Sequence, residues 1–326
     1  MNKKLTIILI LLALIACAII SGLKEKSKVA NLDMSTHLKK IASETKVVDA
    51  HLDHNQALDV AEYAKAKGIK LPSILVNFDT HSDIVINTNF FGKDKQRDIN
   101  IESWINEIVS KNPEIKEIYW VMPDEEATSI FLKAPFAVDD LSNIQEPQVL
   151  YGNSTNKKLS MFHFFFNPLD KNAYEQELLL DTKTGKINEN PNDEKLVKEW
   201  FNKTEKELKK IKLITCTTKS LPDFEGKKIF LSIDADYTSN SGFDTVNDFT
   251  FIKSENEIKE TFYSIFKTLD EKNVKPVIIS LSLSEQYLPQ IRHQYVADIF
   301  TRIMITTNMP DAIETYTRQY EPPKDY

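Results

Sequence analysis

From residue 46 onward, short apolar runs alternate with segments whose apolar positions are spaced as in a helix. Strand-like runs occupy residues 46–51, 72–79 and 115–123. Between them, apolar residues recur at three- and four-residue spacing over 55–69 and 100–112. Gly68 is a typical C-terminal stop for the first of these helices. Strands that alternate with helices predict a parallel sheet covered on both faces.

The pattern is less regular in the middle of the chain and becomes regular again toward the C-terminus. Two segments, 157–168 and 176–188, read as strands near a turn at Thr184–Gly185, which predicts an inserted antiparallel pair. Charge pattern and apolar spacing predict a helix over 192–212. Further strands are predicted at 213–218, 227–234 and 274–284, and further helices at 255–272 and 287–307.

The N-terminus carries an uncharged apolar run from Leu5 to Leu23, which at about 1.5 Å per residue just crosses a hydrocarbon layer of roughly 30 Å. Three interpretations remain open. The run is an uncleaved signal anchor, a lipoprotein signal with Cys17 as the lipid acceptor, or a signal cleaved after the small residues around Ala16. All three place residues from about 28 onward outside the cytoplasm, and the first two hold the domain at the membrane.

We therefore divide the chain into three parts. Residues 1–27 form the signal anchor or lipoprotein signal segment, and residues 28–45 form a lysine-rich tether that includes one short helix. Residues 46–326 form the folded domain. A chain of 326 residues with 41% hydrophobic composition is long enough to bury a full core.

Charge and cysteine content exclude two classes of protein. The net charge is −7 and the lysines are interspersed with acids, so the basic surface of a nucleic-acid-binding protein is not expected. Only two cysteines are present, and Cys17 lies in the apolar N-terminal run. No intramolecular disulfide is therefore predicted, and Cys216 is expected to be a small buried hydrophobe.

Ionisable side chains follow three of the predicted strands. These side chains are Asp49, His51, Asp53 and His54 after the first strand, Asp79, His81 and Asp83 after the second, and Asp234 and Asp236 after a later one. In parallel sheets, functional groups collect beyond the carboxyl ends of the strands, so the three clusters are expected to converge. Carboxylates crowded in this way repel each other unless a cation lies among them.

The candidate ligands are four carboxylates and two imidazoles: His54, Asp79, His81, Asp83, Asp234 and Asp236. This mixed oxygen and nitrogen set suits manganese, zinc or iron rather than calcium. Six ligands exceed what one catalytic ion needs and match two ions that share bridging carboxylates. We expect two divalent ions, with manganese favoured and zinc or iron as alternatives.

The motifs DTHSD (79–83) and SIDAD (232–236) resemble the two metal-binding signatures of the arginase and histone-deacetylase superfamily. In that superfamily an earlier histidine, usually preceded by aspartate, completes the ligand set, and Asp53–His54 stands in that place. The chain is most similar to an arginase-like group, uncharacterised protein family 0489, through DHNQAL, FDTHSD, NIESWI, YWVMP and the late DAD. The resemblance covers 46–123 and 228 to about 300 and leaves 124–225 as a divergent insertion.

The resemblance implies an arginase-like three-layer α/β/α sandwich with a mainly parallel sheet for residues 46–326, next to the N-terminal membrane segment. It also implies that one ion is held by His54, Asp79, Asp83 and Asp234, and the other by Asp79, His81, Asp234 and Asp236. A water between two cations is acidified towards neutrality, which suits hydrolysis of a C–N bond in an amide, an acetylated amine or a guanidino group.

The chain also departs from the arginase pattern. Residues 84–94 contain no histidine where arginases carry a loop that assists proton transfer, and residues 237–248 lack the expected glycine- and proline-rich segment. The substrate of arginase itself is therefore not expected. The candidates for proton transfer are His51 and His163, although a histidine among aromatics such as His163 is more often a core residue. Glu285 is a candidate for orienting a cationic substrate, with a helix N-cap as its alternative role.

We therefore expect a metal-dependent hydrolase of a small-molecule or peptide substrate. The alternative is a non-catalytic metal- or ligand-binding envelope protein that retains the site. A mononuclear deacetylase is a third possibility, in which Asp83 and Asp236 have no ligand role. The apolar positions of 100–112, including Trp104, are expected to pack only, and His37 and His293 are expected to be solvated.

Overall fold

The computed structural model describes residues 36–84, 86–87, 104–123, 149–153, 159–165, 173–183, 185, 187–189, 208–239, 253–283, 288, 290–305 and 314–317. The helices are α1 (36–44), α2 (Gln56–Ala66), α3 (Trp104–Lys111), α4 (Ala235–Ser239), α5 (Glu255–Glu271) and α6 (Gln290–Ile305). The strands are β1 (Val47–His51), β2 (Ile74–Phe78), β3 (Ile86–Asn87), β4 (Glu117–Met122), β5 (Val149–Asn153), β6 (Leu159–Phe165), β7 (Tyr174–Asp181), β8 (Ile187–Glu189), β9 (Leu208–Thr217), β10 (Lys228–Asp234), β11 (Lys275–Ser282) and β12 (Glu314–Thr317).

One mixed sheet organises the domain, with strand order β12-β1-β11-β10-β2-β4-β9-β7-β8-β3. The seven strands from β12 to β9 are all parallel. Strand β7 runs antiparallel to β9 and forms a hairpin with β8. Gly185 lies in that hairpin with φ of 70°, a left-handed conformation that glycine adopts without steric cost. The two predicted segments do not pair with each other: β6, within 157–168, pairs with β5 in a separate two-stranded sheet, and the antiparallel pair at the predicted turn is β7 with β8.

Helices cover both faces of the sheet and give three layers. On one face, α2 and α3 pack on buried residues such as Leu75, Ile118 and Phe230. On the other face, α1, α5 and α6 pack on a second apolar cluster that includes Val76 and Ile279. The mainly parallel α/β architecture expected from the alternating pattern is therefore present.

Helix α5 shows how local sequence produces this packing. Ile258, Phe262 and Phe266 recur at four-residue spacing, so their side chains share one face and are buried. At the helix start, the backbone N–H of Ser254 donates to the Glu257 carboxylate at 2.7 Å, which is one half of a capping box.

The prediction of a helix over 192–212 is wrong for residues 208–212, which belong to strand β9, while 192–207 lie outside the described residues. The lysines in this stretch pair with acids on the neighbouring strand β7. Lys210 contacts Glu177 at 3.0 Å and Lys212 contacts Glu175 at 2.6 Å. The charges that suggested a solvated helix thus stabilise a cross-strand ladder.

The short helix expected before the domain is present as α1. Its Leu38 and Ile41 are buried in the core, so this part of the polar segment packs against the sheet. The apolar run from Leu5 to Leu23 lies outside the described residues. Within the described part of the chain, no helix has the length and apolar character needed to cross a membrane.

Candidate metal centre

The sheet face that carries α2 and α3 changes from apolar to polar toward the carboxyl ends of the strands. One row of residues across the sheet is apolar: Val47, Ile278, Phe230, Leu75, Ile118 and Leu213. Two residues further on, the aligned row is Asp49, Ser280, Ser232, Asn77, Trp120 and Thr215, all buried. Because side chains alternate between the two faces, both rows lie on the same face of the sheet, and the second row lies nearer the carboxyl ends of the strands.

His54 lies just beyond strand β1 and joins groups from two other strands. The Gln56 side chain accepts hydrogen bonds from the backbone N–H groups of Leu52 and Asp53 and fixes the turn into α2. Nδ1 of His54 contacts the Asp83 carboxylate, and Nε2 lies 2.5 Å from Oδ2 of Asp234. One imidazole therefore spans the ends of β1, β2 and β10.

The segment after strand β2 presents its two carboxylates through a tight turn. Asp79 is fully buried and accepts hydrogen bonds from Nδ2 of Asn77 at 2.9 Å and from the His81 backbone N–H at 2.8 Å. Asp83 adopts φ of 47°, a left-handed conformation that aspartate tolerates better than most residues. Nε1 of Trp104 donates to Oδ2 of Asp83 at 2.7 Å.

The segment after strand β10 supplies the remaining carboxylates. Asp234 ends the strand, and Asp236 lies in the first turn of α4. The Asp236 backbone N–H donates to Oδ1 of Asp234 at 3.1 Å, so each carboxylate is oriented by its neighbours. Oδ2 of Asp236 lies 2.9 Å from Nδ1 of His81.

The side chains form two groups that share one residue. In the first group, ligand atoms of His54, Asp79, Asp83 and Asp234 lie within 4.8 Å of one another. In the second, the same holds for Asp79, His81 and Asp236. All six residues are buried, and Asp79 belongs to both groups.

Burial and mutual repulsion shift the ionisation of this cluster. Burial, followed by the charges of Asp83, Asp234 and Asp236, raises the pKa of Asp79 well above its usual value. Burial, followed by the charge of Asp236, also raises the pKa of Asp234.

For the histidines, the nearby carboxylates outweigh the effect of burial on the pKa. Burial lowers the pKa of His54, but the charges of Asp234 and Asp83 outweigh it and raise that pKa well above the usual value. Burial raises the pKa of Asp83, but the adjacent His54 outweighs it and lowers that pKa. Burial also lowers the pKa of His81, but the hydrogen bond and charge of Asp236 outweigh it and raise that pKa, so the carboxylates favour the protonated form of both histidines.

The residues suit a bound cation. Oδ2 of Asp234 and Oδ2 of Asp236 are buried and have no donor in hydrogen-bond geometry among the described residues. Their nearest histidine nitrogens, on His54 and His81, lie at 2.5 and 2.9 Å, so oxygen and nitrogen ligand atoms face each other in both groups. Carboxylate and imidazole groups in this arrangement can hold divalent metal ions.

The structure brings all six predicted ligands together. His51 is also buried near this edge, and its Nδ1 lies 2.6 Å from Oδ2 of Asp49. Glu285 lies outside the described residues. His163 lies on β6 opposite Tyr151 of β5, and its side chain is outside the described part of the structure.

Sequence reasoning missed two supporting residues, Asn77 and Trp104. Asn77 occupies an inward position of strand β2, and a polar residue in that buried run was a local signal. Trp104 packs as expected but also contacts Asp83, which no local pattern indicates. His293, expected to be solvated, is buried, and its Nε2 lies 2.7 Å from the Leu288 carbonyl oxygen.

Comparison with protein-family models and with curated proteins finds no match for this chain.

Proposed function

We propose that this chain is an arginase-like, metal-dependent hydrolase that cleaves a C–N bond of an amide, an acetylated amine or a guanidino group. The observation that carries the proposal is the pair of buried ligand groups that share Asp79 at the carboxyl edge of a parallel sheet. Four carboxylates in so small a volume are costly to bury without cations. The motif resemblance to family 0489 supports the same assignment.

Two ions are favoured over one because the ligand groups differ in composition. His54 and Asp83 belong only to the first group, and His81 and Asp236 only to the second. Asp79 is the shared residue, whereas Asp234 belongs only to the first group, so its expected role in holding both ions stays a prediction. A mononuclear deacetylase would leave Asp83 and Asp236 without a ligand role, although both are buried within these groups.

When bound, a pair of divalent ions, preferably manganese, would lower the pKa of a water and polarise the scissile group. The chain's own residues hold the ligands in place. Asn77 and the His81 backbone fix Asp79, while Trp104 fixes Asp83. Such outer contacts orient ligands and tune their basicity.

His51 is the proposed proton-transfer residue. Its contact with Asp49 orients the ring, and Nε2 has no hydrogen-bond partner among the described residues. A buried imidazole oriented through Nδ1 can accept or donate a proton at Nε2, for instance to a departing amine. Glu285 remains a proposal for orienting a cationic substrate.

The proposed setting is the outer side of a membrane. The apolar run from Leu5 to Leu23 would hold the domain there as a signal anchor or lipoprotein signal. The substrate would then be a small molecule or peptide that reaches the site from outside the cytoplasm.

The experiment is a survey of amine or urea release from N-acetylated amines, amides and guanidino compounds by the manganese-loaded chain. We expect turnover in one class and its loss in Asp234→Asn. Asp181→Asn is the matched control, since Asp181 is equally buried but lies at the end of β7. Metal binding without turnover of any class would favour the non-catalytic alternative.

A further inference from the structure

A basic cavity lies at the opposite edge of the sheet from the metal centre. It has a volume of about 840 Å³ and is lined at the amino ends of strands β1, β2, β4, β10 and β11. Glu114 is the one acid among its lining residues. Five lysines line it: Lys46, Lys70, Lys116, Lys227 and Lys228. We call it the amino-edge cavity.

Within the described residues, all five lysines are exposed and none takes part in an ion pair, although Glu114 lines the same cavity. Other lysines do pair, for example Lys275 with Glu44 at 3.3 Å and Lys65 with Glu62 at 2.6 Å. Five unpaired cations around one cavity are unexpected in a chain of net charge −7.

Helix ends do not account for these charges. The carbonyl groups at the end of α2 already accept backbone hydrogen bonds, from Gly68 to Lys65 and from Ile69 to Ala64, each at 2.9 Å. Four of the five lysines stand at or just before the start of strands rather than in a last helical turn. The dipole of a helix C-terminus therefore does not require them.

The cavity also has an apolar part formed by Ile69, Leu71 and Val277. We propose that the amino-edge cavity binds a phosphorylated ligand whose phosphoryl group contacts the lysines and whose apolar part lies against these three residues. Lysine binds phosphate as a point charge and needs no bidentate geometry. This inference does not depend on the proposed hydrolase.

Two sources of such a ligand share this chemistry: an anionic phospholipid headgroup and a soluble organic phosphate. The chain enters the domain at the same edge, because His37 and Lys40 of α1 contact Asp270 in the last turn of α5, at 2.6 and 3.1 Å. Residues 24–35 between the apolar run and α1 can span at most about 40 Å. If that run is in the membrane, phospholipid headgroups lie within reach of the amino-edge cavity.

The test measures acetylation rates of individual lysines in the full chain by mass spectrometry, with phosphatidylcholine vesicles present. Phosphatidylglycerol in the vesicles tests the lipid source, and soluble ATP tests the free phosphate. A ligand at about ten times its dissociation constant should slow acetylation of the five lysines roughly tenfold. Lys259 and Lys267, on α5, should be unaffected.

Variants separate specific binding from general shielding. Lys116→Gln combined with Lys228→Gln should abolish protection of Lys46, whereas Lys210→Gln combined with Lys212→Gln on strand β9 should leave it intact. Protection by one ligand alone identifies its source, and protection by both supports the shared chemistry. Unchanged rates with both ligands, or equal slowing at the α5 lysines, would overturn the proposal.

Discussion

Replacing Trp104 with phenylalanine removes a donor from a candidate metal ligand and keeps an aromatic ring in the core. Trp104 is 1% exposed, and its Nε1 donates to Oδ2 of Asp83 at 2.7 Å. Although burial raises the pKa of Asp83, the adjacent His54 keeps it below the usual value, so the acceptor is ionised at neutral pH. A hydrogen bond to a charged group contributes about 1.5–3 kcal/mol. We expect the free energy of unfolding of the metal-free chain to fall by about that amount.

The same substitution should weaken metal binding about 10- to 100-fold, as expected when an outer partner of a ligand is lost. Trp120→Phe is the matched control, because Trp120 is equally buried and its Nε1 donates at 3.0 Å to the neutral carbonyl of Asp79. That loss should cost about 0.5–1.5 kcal/mol. Urea unfolding with a chelator and calorimetric manganese titration measure the two effects. Equal losses in both variants, or unchanged metal affinity in Trp104→Phe, would refute the role given to this bond.

The remaining predictions concern pH, packing and turnover. In the metal-free chain, burial lowers the pKa of His54, but the adjacent carboxylates raise it by more, so the net shift is upward. Protonated His54 therefore stabilises the folded chain fully below its unfolded pKa of 6.5, and this stabilisation is lost as the pH rises through the folded pKa. Melting temperatures measured with chelator should fall over that range, and His54→Asn should reduce the fall without abolishing it, because burial lowers the pKa of His81 but Asp236 raises it by more. Leu38→Ala should cost about 2–5 kcal/mol in urea unfolding because Leu38 is buried, whereas exposed Ser43→Ala should cost little, and equal effects would contradict the packing of α1. His51→Asn should lower kcat about 10²- to 10⁴-fold with unchanged metal content, and a normal kcat would exclude proton transfer by His51.

The ligands could be predicted because their signal is local. Asp79 and Asp234 come at the ends of apolar strand runs, where a solvated turn or a functional site are the main alternatives. In a parallel sheet the carboxyl ends of the strands meet at one edge, so the proximity of these clusters can be predicted before any specific contact is known. The sequence was therefore sufficient to predict that His54 lies close to Asp79 and Asp234.

Contacts between distant segments could not be predicted in this way. The bond from Trp104 to Asp83 depends on the left-handed turn at Asp83 and on where α3 lies, and apolar spacing contains neither. The lysines of 208–212 have the spacing of a charged helix, but this segment pairs with β4 and β7 as a strand and its lysines contact acids of β7. His293 is a different case, because its Nε2 contacts the carbonyl oxygen of Leu288 only five residues away.

Metal content of the purified full chain tests the central claim most directly. After equilibration with manganese and removal of free metal, elemental analysis should give about two ions per chain, as six ligands in two groups that share Asp79 predict. Asp79→Asn should lose most of both ions, and Asp181→Asn should retain them. A parent chain without metal, or full occupancy in Asp79→Asn, would contradict the account.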